Sequence, residues 1–150
     1  MKKIHMMIGI PGSGKTCFAK ELAKKLNCPI VSISMLRSVK LEYSDKDLLK
    51  DSFELCGEYL KKNNDVVYDA RNITKIERGN FINAVKQQGI EFQIVAYYIK
   101  ADVETCIIRI ISRNDSITER YFSPEKVRSC AAKLEPPTDK EFYQLNIIEN

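Results

Sequence analysis

Histidine occurs once in 150 residues, and that scarcity removes whole classes of chemistry. A zinc site needs several Cys or His ligands gathered together. The five cysteines (Cys17, Cys28, Cys56, Cys106, Cys130) form no CxxC pair and no Cys/His cluster. A Ser-His-Asp or Cys-His hydrolase would have to use His5, which lies inside the first apolar run and reads as a strand residue without chemistry. An odd, scattered set of cysteines suits reduced thiols in a cytoplasmic protein. No apolar run approaches the ~18 residues that a spanning helix needs, so no membrane crossing is expected. The opening stretch is basic, then apolar, like a secretion signal. It is short and breaks into Gly and Lys, so it is read as part of the fold. Internal repeats, low-complexity segments and linkers are also missing.

What remains is ordinary globular composition, with 44% hydrophobic and 29% charged residues, which excludes disorder. The length suits one domain with its own core. A net charge of +4 permits a nucleic-acid partner without arguing for one. No basic strip interleaved with aromatics and no RNP-type segment appears.

Apolar runs alternate with helix-period stretches, the pattern of an α/β fold around a parallel sheet. The first strand is expected over Ile4–Ile8. A helix follows over Lys15–Leu26, stopped by Asn27 and Pro29. Pro29–Ile33 reads as a second strand and Asp65–Asp69 as a third, with a helix carrying Leu48, Leu49, Phe53, Leu55 and Leu60 between them. Ile76–Gln88 is helical, with Gly89 as a stop, and Ile90–Ile99 is the fourth strand. Asp102 caps a helix running through Arg113. Residues 114–122 carry no period and read as a mobile loop. Ser123-Pro124-Glu125 restarts a helix to about Leu134, which Pro136-Pro137 ends. Leu145–Ile148 is the fifth strand.

Gly9-Ile10-Pro11-Gly12-Ser13-Gly14-Lys15-Thr16 satisfies GxxxxGK[ST] in full, between the first strand and its helix. Glycines let the backbone fold round a phosphate with successive N–H groups pointing inward, and the helix N-terminus adds positive potential. Lys15 is expected to reach the β- and γ-phosphates of ATP, and Thr16 to hold Mg²⁺ through its hydroxyl. A guanine-reading NKxD run is absent, and the chain is short for a motor or an AAA-type ATPase, which need longer chains or further domains. A compact chain with one such loop most resembles a small kinase.

Further segments narrow the reading. Ser32-Ile33-Ser34-Met35-Leu36-Arg37 follows strand two, and Asp69-Ala70-Arg71-Asn72 follows strand three, with Arg78 in the next helix. Arg113-Asn114, Arg120 and Ser123-Pro124-Glu125 follow strand four, and Leu134-Glu135-Pro136-Pro137 comes near the end. With GIPGSGKT, this order resembles the polynucleotide kinase-type family of P-loop kinases. The resemblance implies a P-loop kinase-like α/β fold: a parallel five-stranded sheet flanked by helices, with a short basic lid. It also implies transfer of the ATP γ-phosphate to a hydroxyl, often the 5′-hydroxyl of DNA or RNA.

By that resemblance Arg37 holds the acceptor-side or transferring phosphate. The family's general base, an Asp three residues before this arginine, is replaced by Ser34, whose hydroxyl cannot do a carboxylate's work unaided. Asp69 is expected at the ligand edge of the sheet, serving Mg²⁺, holding a lid arginine or standing in for the base. Asn72 organises its loop, while Arg71 and Arg78 read as solvated. From Arg109 to Lys133 six basic residues face three acidic ones, a basic lid in which Arg113 and Arg120 share the phosphate. Two other readings stay open: a small-molecule or nucleoside-type kinase, and a nucleotide-binding subunit with weak transfer because of Ser34.

Overall fold

The computed structural model describes residues 1–113 and 122–150. In chain order it contains β1 (Lys2–Ile8), α1 (Lys15–Leu26), β2 (Ile30–Ser32), α2 (Ile33–Val39), α3 (Asp45–Lys61) and β3 (Val66–Asp69). There follow α4 (Lys75–Lys86), β4 (Phe92–Lys100), α5 (Val103–Ser112), α6 (Pro124–Lys133), a 3₁₀ turn (Asp139–Glu141) and β5 (Gln144–Glu149). The strands form one parallel sheet in the order β2-β3-β1-β4-β5. The chain leaves β1 toward β3 on one side and later returns to β4 on the other. The strand order therefore switches at the carboxyl end of β1, where open α/β sheets bind their ligands.

Alternation along β1 builds two cores. Ile4, Met6 and Ile8 face α3 and α4, packing with Tyr68, Cys56, Leu60, Phe81 and Val85. Met7 faces α1, packing with Val67, Ala19 and Ala23. The Tyr68 and Phe81 rings stack at 4.1 Å with an 11° interplanar angle, a contact worth roughly 1 kcal/mol beyond area burial. A third cluster joins α5 to α6 through Cys106, Ile107, Ile110, Val127 and Cys130.

Most of the expected elements are present, with informative shifts. Helix α1 has the expected bounds because Gly14 and Asn27, both left-handed, close its two ends. Strand β2 begins after Pro29 and ends at Ser32. Ile33, expected in that strand, instead opens α2, because the Ser32 side chain accepts the Met35 amide as an N-cap. Strand β4 starts at Phe92 rather than Ile90, after Gly89 turns at φ 78°. Helix α5 ends at Ser112, with Arg113 as its C-cap, and Ser123 caps α6 with Pro124 in its first turn. The expected mobile loop, apart from Phe122, lies outside the described residues. His5 is a β1 residue at 6% exposure, within 3.3 Å of the Tyr97 hydroxyl and 3.6 Å of Asp65.

The reading of Arg78 as solvated is wrong. It is 1% exposed, donating to both Glu141 carboxylate oxygens (2.8 and 3.4 Å) and to the Asn72 carbonyl (2.9 Å). It ties α4 to the 3₁₀ turn and to the loop after β3. Arg71 is half-buried in an ion pair with Glu77 at 2.7 Å, and it reaches Cys130 Sγ at 3.3 Å.

Candidate active site

The loop Gly9–Gly14 leaves β1 and turns sharply into α1. Gly12 (φ 83°) and Gly14 (φ 94°) occupy the left-handed region that side chains disfavour. At Gly12 a Cβ would also come within 2.5 Å of the Cys106 carbonyl, so α5 and the loop touch backbone to backbone. The loop's carbonyls are engaged from outside. Arg109 Nη1 donates to Gly12 O at 3.2 Å, and Asn150 Nδ2 donates to Ser13 O at 2.8 Å. Gly9 N donates to Arg71 O at 2.9 Å. Helix α1 begins with no side-chain cap and no acidic residue in its first turn. Its N-terminus therefore keeps its positive potential for an anion.

Lys15 opens α1, with Asp69 of β3, Cys106 of α5 and Arg113 at the end of α5 near enough to act on it. Burial lowers its pKa, Asp69 opposes that shift and Arg113 reinforces it. A phosphate would supply the missing negative charge. Thr16 and Ser32 both donate to Asp69 Oδ2, each at 2.7 Å. Strand pairing explains the meeting, since Ser32 and Asp69 are register partners on β2 and β3. Ser34 Oγ lies 3.1 Å from Ser32 Oγ and 3.5 Å from Thr16 Oγ1. Asp69 is 2% exposed, and its other oxygen, Oδ1, is buried with no hydrogen-bond partner among the described residues. Hydroxyl and carboxylate oxygens around such an atom suit a hard cation such as Mg²⁺. Among the described residues no three His, Cys, Asp or Glu side chains gather as a metal cluster, so a cation here would also lean on phosphate oxygens.

Beside this group opens a cleft of about 950 Å³, with Lys15, Thr16, Ser34, Arg37 and Asp69 on its walls. Arg37 is 8% exposed, paired with Asp45 at 3.2 Å, and its guanidinium lies 5.2 Å from the Phe122 ring centroid. Lys126 approaches the same ring at 5.7 Å. Asn72 (φ 47°) donates to Met7 O at 2.9 Å and to Ala70 O at 3.4 Å, holding the loop after β3 against β1. A second hollow of about 670 Å³ lies near Ile10, Ala101, Arg109, Leu134 and Asn150.

The structure thus brings Gly9 through Thr16, Arg37 and Asp69 into one region. Arg113 is exposed at the end of α5 and close enough to act on Lys15. Arg120 lies outside the described residues. Ser32, Asp45 and Phe122 join the region without having been expected there, as do Arg109 and Asn150 on the loop's outer side. Ser32 had a readable signal in its adjacency to Ser34, whereas nothing near Asn150 in sequence points 137 residues back to Ser13.

Among curated proteins none matches the chain. Its fold is shared by a fungal RNA kinase, at 17% identity and TM-score 0.76 over 97% of this chain and 74% of that one. Kti12 of Chaetomium thermophilum in complex with ADP-AlF3 is similar at 16% identity and TM-score 0.75, over 97% and 88% of the two chains. A gluconokinase of Sinorhizobium meliloti is similar at 15% identity and TM-score 0.66, over 99% and 82%. The sequence profile of the AAA domain family matches residues 4–137, from β1 to just beyond α6. Profile and fold are compatible, and although the chain's length argued against an AAA-type protein, the match over residues 4–137 shows that the chain belongs to the AAA domain family.

Proposed function

We propose that residues 1–150 act as one kinase domain that transfers the γ-phosphate of ATP to a hydroxyl, that of a polynucleotide 5′ end. The triphosphate lies in the Gly9–Gly14 loop over the N-terminus of α1, with Lys15 on the β- and γ-phosphates. The second hollow, beside Arg109, takes the adenine. Thr16 and Asp69 hold Mg²⁺, which when bound neutralises charge on the phosphates. Arg37 grips the acceptor side, and Arg113 adds positive charge over the transferring group, with Arg120 as its partner. Phosphoryl transfer asks the protein for position and charge, which these residues provide.

The observation that carries this reading is the cleft beside Lys15 and Thr16. It is large enough for a nucleotide-sized acceptor, with Phe122 flanked by Arg37 and Lys126 on one wall. An aromatic ring with cations at its face suits a stacked base and its phosphate. The fungal RNA kinase that shares the fold agrees with it. One observation favours a small polyol instead: Asp45, Asp47 and Glu77 also line the cleft, and a gluconokinase shares the fold. The free thiols of all five cysteines suit a reducing cytoplasm, and among the described residues no helix is long and apolar enough to cross a membrane. The test is γ-labelled ATP with 5′-hydroxyl DNA, 5′-hydroxyl RNA, nucleosides and gluconate. Label on an oligonucleotide supports the polynucleotide reading, and label on gluconate or a nucleoside alone replaces it with the small-molecule one.

A further inference from the structure

The Gly9–Gly14 loop is a chain of peptide planes, and in a trans peptide the carbonyl and the N–H point to opposite sides. Pinning one end therefore aims the other. The Gly12–Ser13 peptide is pinned at both ends: Gly12 O accepts from Arg109 at 3.2 Å, and Ser13 N donates to Ile10 O at 3.1 Å. The Ser13–Gly14 peptide is held differently. Its carbonyl accepts from Asn150 Nδ2 at 2.8 Å. Its N–H, at the N-cap of α1, is one of the amides that a helix leaves without an intrahelical partner. Glycine takes either sign of φ readily, so Gly14 itself offers little resistance to rotation of this plane. The hydrogen bond from Asn150 opposes it. A Cβ on Gly14 would stand 2.4 Å from Asn150 Nδ2, so the carboxamide fills the space that a side chain there would take. Asn150 is itself anchored: its backbone N donates to Lys100 O at 2.7 Å, where β4 ends, and its carbonyl lies 3.5 Å from Arg109 Nη2. The reversed carboxamide would set Oδ1 against the Ser13 carbonyl, acceptor against acceptor.

We infer that Asn150 is a positioning residue for the nucleotide phosphates: from just beyond β5 it fixes the Ser13–Gly14 peptide so that the Gly14 N–H faces the phosphate. This rests on the nucleotide-binding half of the kinase reading above and deepens it. Asn150 grips the loop from its outer side and makes no contact with phosphate. Without its hydrogen bond the plane is free to turn, and a turned plane presents the Ser13 carbonyl oxygen to the phosphate, an acceptor facing an anion. The motif from Gly9 to Thr16 supplies the amides, and a residue 137 positions from Ser13 sets the direction of one of them.

Titration calorimetry of the full chain with ADP and Mg²⁺ tests this in wild type, Asn150→Ala and Asn150→Leu. The leucine variant keeps bulk against Gly14 but has no donor. Both variants should bind ADP about 10-fold more weakly, the size of one lost hydrogen bond. Their unfolding midpoints without nucleotide should equal that of wild type. Asn150 also borders the hollow assigned to adenine, so a second readout separates loop from base: the Gly14 amide in ¹⁵N–¹H spectra at saturating ADP. Its proton should move downfield in wild type as it donates to phosphate, and by less than half as much in both variants. ADP bound by either variant as tightly as by wild type would overturn the inference. So would a weakened affinity with a Gly14 shift of wild-type size, which would place Asn150 on the base, or a midpoint that falls along with the affinity, which would give it to the fold. ADP left unbound by wild type would overturn the phosphate-loop reading together with this one. ADP binding and the Gly14 shift as expected, with no label transferred from ATP to any acceptor, would sink the kinase reading and leave this one standing.

Discussion

At Asp69 a single carboxylate gathers hydroxyls from three elements: Thr16 of α1, Ser32 of β2 and, through Ser32, Ser34 of α2. The buried Oδ1, with no hydrogen-bond partner among the described residues, is the atom the proposed Mg²⁺ would engage. Asp69→Asn removes that charge while keeping the shape. It should raise the Mg²⁺ concentration for half-maximal transfer at least ~10-fold, in keeping with the cost of weakening a metal site. A Mg²⁺ titration superimposable on wild type would count against the assignment. His5 makes the opposite kind of point, a titratable group that serves only the fold. Burial lowers its pKa below the ordinary value of 6.5, against the pull of Asp65. Well above about pH 6.5 both folded and unfolded chains hold it neutral, so it contributes nothing there. Below that, the unfolded chain takes up the proton first, and stability falls with pH. Denaturant midpoints measured between about pH 7.5 and 5.5 should drop, and His5→Gln should flatten the slope. A midpoint flat across this window in the wild type would contradict the burial argument.

Among the elements, what could be read from sequence was what neighbouring residues decide. Helix α1 matched its expected bounds because its left-handed Gly14 and Asn27 stand next to it in the chain. The phosphate loop was legible for the same reason, every residue of it lying between Gly9 and Thr16. Helix α2 was not, since Ser-Ile-Ser-Met has no helical period and Ser32 both ends a strand and caps a helix. Arg78 was misread because its partner Glu141 lies 63 residues away, and no local pattern announces such a pair. Glu141 completes the case. Although burial pushes its carboxyl pKa up, hydrogen bonds from Arg78 and Thr138 hold it below the ordinary value of 4.5. The pair therefore stabilises the fold at neutral pH and loses that contribution as acid protonates Glu141. Arg78→Ala takes the guanidinium from the Asn72 carbonyl and leaves the Glu141 carboxylate with Thr138 alone. It should cost about 3 kcal/mol in chemical denaturation at neutral pH. A loss below ~1 kcal/mol would mean that the pair is no better than a surface one.

For the whole molecule, the sheet order puts the Gly9–Gly14 loop at the strand switch, α2 and α3 wall the cleft on one side, and α5 and α6 flank the loop on the other. On the proposed function, nucleotide binding is written in one contiguous motif while acceptor choice is spread over cleft residues from Ile33 to Lys126. The central claim is phosphoryl transfer from ATP held by Lys15, and it is tested most directly by comparing wild type with Lys15→Ala. The measurement is label transfer from γ-labelled ATP to a 5′-hydroxyl oligonucleotide with Mg²⁺ present. Wild type should label the oligonucleotide. Lys15→Ala should do so at least ~10²-fold more slowly, the ~3 kcal/mol expected when a charge that stabilises the transition state is removed. Equal transfer by the two proteins, or ATP bound by wild type with label reaching no hydroxyl at all, would contradict it.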